Sequence, residues 1–278
     1  MDELALLPFA AAFFLVGIAS GIVSGLFGVG GGVLRIPVFV LVFPAFGIHS
    51  DVEMRVAAAT SLALAVPTCL IAVRKHFLLG HFERGFLRPW VSGIAAGAIG
   101  GLLLAPFVPA DGLKIAFALC MAGLAVYFWI WGEGAVIASH PPEGGAKAAL
   151  SVGIGGYCVM IGVAGGSLTT PLLKACSMPM ARALAAGSAT SLVVSILGAG
   201  GGVWTGLGIA DRPSWSFGYV DGLVFLLMLP GVLFATGPGV ALGSRLKPEL
   251  LRKCYAAFLT LIAVSMVVHL MGSRSGIT

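Results

Sequence analysis

The strongest constraint on this chain is a succession of long apolar segments joined by short polar loops. The segments run at about 4–27, 30–46, 53–73, 86–108, 112–131, 147–163, 166–177, 181–208, 218–242 and 250–271. At about 1.5 Å per helical residue, most of them can cross a bilayer core of about 30 Å. Backbone groups in lipid must be satisfied inside a helix or a closed barrel, and continuous apolar runs of this length point to helices. Charged residues are 10% of the chain, against about 25% in soluble domains. No stretch is long and polar enough for a separate soluble domain. The expected fold class is therefore an all-α integral membrane protein with one membrane domain.

Charge settles orientation rather than partners. The net charge of +5 comes from basic residues clustered in loops, which is the bias of cytoplasmic loops and gives no reason to expect a nucleic-acid partner. Loop 74–88 carries Arg74, Lys75, Arg84 and Arg88, and loop 243–253 carries Arg245, Lys247, Arg252 and Lys253. Both are expected in the cytoplasm. Asp51, Glu53, Asp111, Asp211 and both termini then fall outside, and loop 132–147 inside. The acidic start "MDELALLPFAAAFF" lacks the basic region of a signal peptide and reads as a first membrane helix. The cysteines at 69, 120, 158, 176 and 254 show no C-x-x-C spacing and read as buried, inert thiols.

The chain repeats itself. "GVGGGVLRIP" at 28–37 aligns with "GVAGGSLTTP" at 162–171, and "AAATSLALAV" at 57–66 with "GSATSLVVSI" at 187–196. Two further matches, 92–104 with 230–242 and 113–126 with 251–264, follow in the same order. This divides the chain into a first membrane repeat at 1–131, a connecting loop at 132–146 and a second repeat at 147–278. Segments 30–46 and 166–177 are short and follow a glycine break, so each is expected to be a re-entrant half-helix paired with the helix before it. Each half then has a returning pair plus three crossings. An odd number of crossings inserts the halves upside down relative to each other. Glycine-interrupted segments at matching places in such halves point to a substrate site near the midplane. Thr60 and Thr190 would both lie roughly 12–13 Å deep, approached from opposite faces.

The doubled Gly-Gly-x-x-x-x-Pro breaks, each followed by an "ATSL" helix, resemble those of the TauE/SafE family of sulfite and organosulfonate exporters. The resemblance covers nearly the whole chain. It implies a multi-pass carrier of a bacterial inner membrane that exports a small sulfur-containing anion such as sulfite or sulfoacetate, with no cofactor. A homo-oligomer is compatible with it. The halves differ at Arg35, whose partner in the second half is Thr169.

The breaks carry the chemistry. Consecutive glycines let the backbone leave helical geometry and let another group come close. A restarting helix exposes unpaired N–H groups and a positive dipole end, which attract anions. The expected substrate-binding groups are Gly30, Gly31 and Gly32 with Arg35 at the first break, and Gly165, Gly166, Ser167, Thr169 and Thr170 at the second. Thr60, Ser61, Thr190 and Ser191 would add hydroxyls from the helices that follow. Gly28, Pro37, Gly162 and Pro171 bound the breaks. If the first half-helix starts near Gly31, Arg35 leans back over its N-terminus; if Pro37 is its first residue, Arg35 lies in the approach loop. Guanidinium is a planar fork suited to sulfite or sulfonate oxygens.

Plainer readings stand beside these. Arg35 could neutralise a helix end or snorkel to the interface, and Ser and Thr commonly bond back to their own helix. "GIASGIVSG" at 17–25 reads as close helix packing only. His49, His76, His81 and His140 fall in loops. Trp90, Trp129, Trp131, Trp204 and Trp215 lie near segment ends, as in an aromatic belt. All the acids fall in loops or near segment ends, which leaves no deep proton carrier. A different class of function is an intramembrane serine hydrolase using Ser167 and His269. A third is a carrier or importer of another small anion. No metal-binding His pair and no nucleotide-binding Gly-Lys-Ser/Thr motif is present.

Overall fold

The computed structural model describes residues 3–27, 30–46, 48, 50–130, 136–208 and 215–275. The described chain is almost entirely helical: α1 (Glu3–Phe27), α2 (Gly32–Val42), α3 (Ser50–Leu78), α4 (Arg84–Leu104), α5 (Ala110–Ile130), α6 (Gly144–Ile161), α7 (Gly166–Ala175), α8 (Met180–Gly206), α9 (Gly222–Arg245) and α10 (Pro248–Ser275). Eight of these are long and apolar enough to cross a membrane. The exceptions, α2 and α7, have 11 and 10 residues, about half a bilayer core each.

Packing follows one scheme twice. α1 lies along α9 and α6 along α4; α2 packs on α3 and α7 on α8; α3 meets α8, and α5 meets α10. The scheme is unchanged when α1–α5 are exchanged for α6–α10. Both long seams depend on glycine. A methyl group at Gly21 would stand 2.6 Å from the Val232 carbonyl oxygen, and one at Gly101 would stand 2.5 Å from that of Gly156. Backbones can approach this closely only without side chains between them. The 17–25 run therefore has the packing role expected of it, with Gly17, Gly21 and Gly25 turned to α9.

Direction follows from matched contacts. Leu62 of α3 lies against Gly198 of α8, and Ala59 against Gly202, so these two central helices run antiparallel. At the far end, Arg182 near the start of α8 donates to Glu83 at the start of α4. The start of α8 therefore sits at the end of the bundle where α3 finishes.

Three expectations give way here. Trp90 is not in an aromatic belt: it is fully buried and donates Nε1–H to the Thr190 hydroxyl at 3.0 Å. Glu53, expected on the outer side at the very start of its segment, is carried inward because α3 begins at Ser50. There it pairs with Lys114 of α5 at 2.9 Å, the two side chains 1% and 2% exposed. The segment expected at 218–242 opens with a small hairpin, β1 (Ser216–Phe217) and β2 (Val220–Asp221), before α9 starts at Gly222. Asp221 is buried as the α9 N-cap, accepting from the Val224 N–H at 2.9 Å. Gly28, His49, Trp131 and Asp211 lie outside the described residues.

Candidate functional site

Each break is a turn through left-handed glycine followed by a fresh helix start, and the half-helices pack mainly on the helices that follow, α2 on α3 and α7 on α8, not on the helices before them as expected. Gly30 and Gly31 have φ of 70° and 72°, and Gly162 has φ of 73°, values that favour glycine. α2 starts at Gly32 and α7 at Gly166. Pro37 and Pro171 are inside these helices, not at their first residue. The structure thus takes the first of the two registers open to the sequence. Because proline has no N–H, the Val33 and Ser167 carbonyls lose their usual intrahelical donor. Both freed acceptors lie near the restart of a half-helix.

Arg35 sits in the first turns of α2 and is fully buried. Its side chain turns back toward the N-terminus, as helical geometry requires. Nη2 donates to the Gly30 carbonyl at 2.7 Å, Nη1 to the Ser61 carbonyl at 2.8 Å, and Nε to the Ser20 hydroxyl at 2.6 Å. One guanidinium thereby ties the break to α1 and α3. All three acceptors are neutral, and among the described residues no carboxylate forms an ion pair with it. Arginine carries five N–H donors, so one on each Nη remains.

The two breaks touch. Ser61 of α3 donates its hydroxyl to the Gly162 carbonyl at 3.2 Å. A methyl group at Gly32 would lie 3.0 Å from that same oxygen, and one at Gly162 would run into Ala58. At the second break Ser191 accepts the Gly166 N–H at 2.8 Å, satisfying one orphan donor at the start of α7. Gly187 of α8 approaches so closely that a methyl group there would meet the Thr170 hydroxyl. Gly165 packs on the Thr190 side chain.

The remaining hydroxyls divide. Thr190 donates to the Ala186 carbonyl at 2.9 Å while accepting from Trp90, so both of its functions are occupied in the bundle. Thr60 accepts the Asp221 N–H at 2.9 Å. Each ATSL threonine is thus held by a group from the element packed across it. Thr169, in the place of Arg35 in the second half, is fully buried and its hydroxyl has no hydrogen-bond partner. Ser167 donates to the Ala164 carbonyl of its own turn at 2.9 Å, and not to His269.

Sequence reasoning missed one group here. Ser20 lies in the glycine run read as packing alone, yet it holds Arg35. Its spacing of three from Gly17 was a usable signal, since it puts Ser20 close to the same helix stripe. Cys69 is buried against Ala65 and Ala164, beside the first break.

The comparisons with known proteins bear on the family. The family model described as sulfite exporter TauE/SafE matches residues 13–266. A probable membrane transporter protein of Haemophilus influenzae is 26% identical over 255 residues, covering 91% of this chain and 96% of its own length. A probable membrane transporter protein of Methanocaldococcus jannaschii is 24% identical over 274 residues, covering 96% and 97%. No solved structure matches. A match along nearly the whole chain, to transporters of nearly the same length, makes this a multi-pass membrane transporter and not an enzyme; the chain belongs to the sulfite exporter TauE/SafE family.

Proposed function

We propose that the protein is a secondary carrier that exports a small sulfur-containing anion, sulfite or an organosulfonate such as sulfoacetate. The anion would bind between the two glycine breaks, near the middle of the membrane. The observation that carries this reading is Arg35: a permanent charge, fully buried, hydrogen-bonded only to neutral acceptors. An ionised group removed from water is costly unless a counter-charge approaches. A small anion would supply that charge and take the two unused N–H groups. The starts of α2 and α7 would add the positive ends of their dipoles. Gly30, Gly31, Gly32, Gly165, Gly166, Ser61, Ser167, Thr169, Thr170 and Ser191 would line the approach, with Thr60 and Thr190 holding the helices behind them.

Transport would follow from the repeat. In this reading residues 1–131 and 147–278 insert in opposite directions, and the antiparallel course of α3 and α8 supports it. Each half would then rock against the other about the break-to-break contact, opening the site to one side at a time. A thermal-shift panel on the purified protein, comparing sulfite, sulfoacetate, sulfate and carboxylates, tests the reading. A bound anion raises the melting temperature with its occupancy, and the expectation is a shift with sulfite or sulfoacetate. A shift with carboxylates and none with any sulfur anion would overturn the cargo assignment.

A further inference from the structure

We infer that a cavity of about 180 Å³ next to the second break binds a small amphiphilic anion, with Arg55 of α3 holding the anionic head. The inference rests on the carrier reading and adds to it a second arginine and a ligand shape. The walls are small and apolar: Ala58, Ala59 and Leu62 of α3, Leu102 of α4, Val159 of α6 and Gly198 of α8. Ala58 is the residue on which Gly162 is packed, so one wall of the cavity is the backing of the second break.

Arg55 is placed to receive an anion. It is half-buried. Nη2 is held at the wall by long hydrogen bonds to the carbonyls of Pro106 at 3.2 Å and Val108 at 3.3 Å. Nε is buried and has no acceptor. Nη2 spends both of its N–H groups on these carbonyls, so the part of the fork left for a carboxylate or sulfonate oxygen is Nη1, which has no hydrogen-bond partner among the described residues. Glu53, two residues earlier, cannot neutralise it, because such neighbours face different directions on a helix and Glu53 is taken by Lys114. An oxyanion in the cavity would supply an acceptor for Nη1 and the missing charge.

The lining also limits the ligand. One fixed positive charge matches one negative charge. Alkyl walls on several sides favour an apolar body and penalise an inorganic dianion, which would have to leave its water shell against them. An apolar cavity of about 150 Å³ is enough for a benzene molecule, so a body of about four carbons fits this one.

The test is isothermal titration of the full-length protein in detergent with butane-1-sulfonate, butanoate, methanesulfonate and sulfate. Butane-1-sulfonate and butanoate are expected to bind, methanesulfonate more weakly, and sulfate not to compete. Arg55→Gln should weaken butane-1-sulfonate about tenfold or more, the size expected for losing a charged hydrogen bond, and Arg55→Lys by less. Thr205→Trp adds bulk from an exposed position on the cavity wall and should weaken butane-1-sulfonate more than methanesulfonate. Melting temperatures without ligand establish that each variant is folded. Wild-type affinity in folded Arg55→Gln overturns the inference, as does displacement by sulfate or no binding of any of the four by the wild type. The carrier reading is judged separately, by efflux of sulfite or sulfoacetate. Arg55→Gln that binds and exports normally removes this site and leaves the carrier standing.

Discussion

The Ser61 hydroxyl donates to the Gly162 carbonyl at 3.2 Å across 101 residues of sequence. It joins a helix of the first half to the glycine break of the second. If the halves rock about this contact, its loss should change rates more than stability. Ser61→Ala is expected to cost about 1 kcal/mol in unfolding free energy, the usual net value of one hydrogen bond, while changing efflux from proteoliposomes by several-fold. Gly162→Ala is a harsher change, because φ is positive and the added methyl meets Ala58. That variant should express poorly or melt well below the wild type in a thermal-unfolding assay.

The Glu53–Lys114 pair gives a prediction about stability alone. Both side chains are buried, and the second Glu53 oxygen has no partner. Removing one partner leaves an uncompensated buried charge. Glu53→Gln or Lys114→Met should each destabilise by about 3–5 kcal/mol. Replacing both should recover much of that loss. A double-mutant cycle on the purified protein reads the coupling directly, and additive single effects would show that the pair is not coupled.

The helical membrane fold and the two glycine-led helix starts were legible because each is a local pattern: long apolar runs and Gly-Gly-x-x-x-x-Pro. Arg35 was legible for the same reason, as a lone charge in an apolar segment. What the sequence hid were partnerships made by folding. Glu53 reads as an outer acid at the start of a segment, beside Asp51, until Lys114, 61 residues away, is seen to meet it. Trp90 reads as a belt residue until Thr190 accepts its N–H, 100 residues on. The hairpin before α9 is two residues per strand, too short for alternation to show. It places Asp221 against Thr60, mid-way along another helix.

Sidedness tests the proposed inversion of the halves. In a protein with its native cysteines replaced, single cysteines at 80 and 247 should react with an impermeant maleimide only from the cytoplasm. Cysteines at 50 and 212 should react only from outside. Opposite sidedness of 80 and 247 would remove the inversion and the rocking mechanism together.

The energy source follows from the charges that remain. Glu53 is matched by Lys114, and Asp221 is held by the α9 N-terminus, so neither stands as an open proton carrier. A monoanion leaving a cell with a negative interior moves downhill by about 2.3 kcal/mol per 100 mV. Efflux from proteoliposomes should speed up when a potassium–valinomycin gradient makes the interior negative, and a pH gradient at zero potential should do little. Uphill transport driven by the pH gradient alone would instead point to Glu53 or Asp221 as the proton site.

The most direct test of the account is efflux of sulfite and of sulfoacetate from proteoliposomes carrying wild type, Arg35→Lys and Arg35→Ala. The wild type should export at least one of the two. Arg35→Lys should keep only part of that rate, because an ammonium cannot match the fork that reaches Ser20, Gly30 and Ser61. Arg35→Ala should insert into the membrane and export neither. Wild-type rates in Arg35→Ala would contradict the account, because the buried charge at the first break would then have no part in moving the anion.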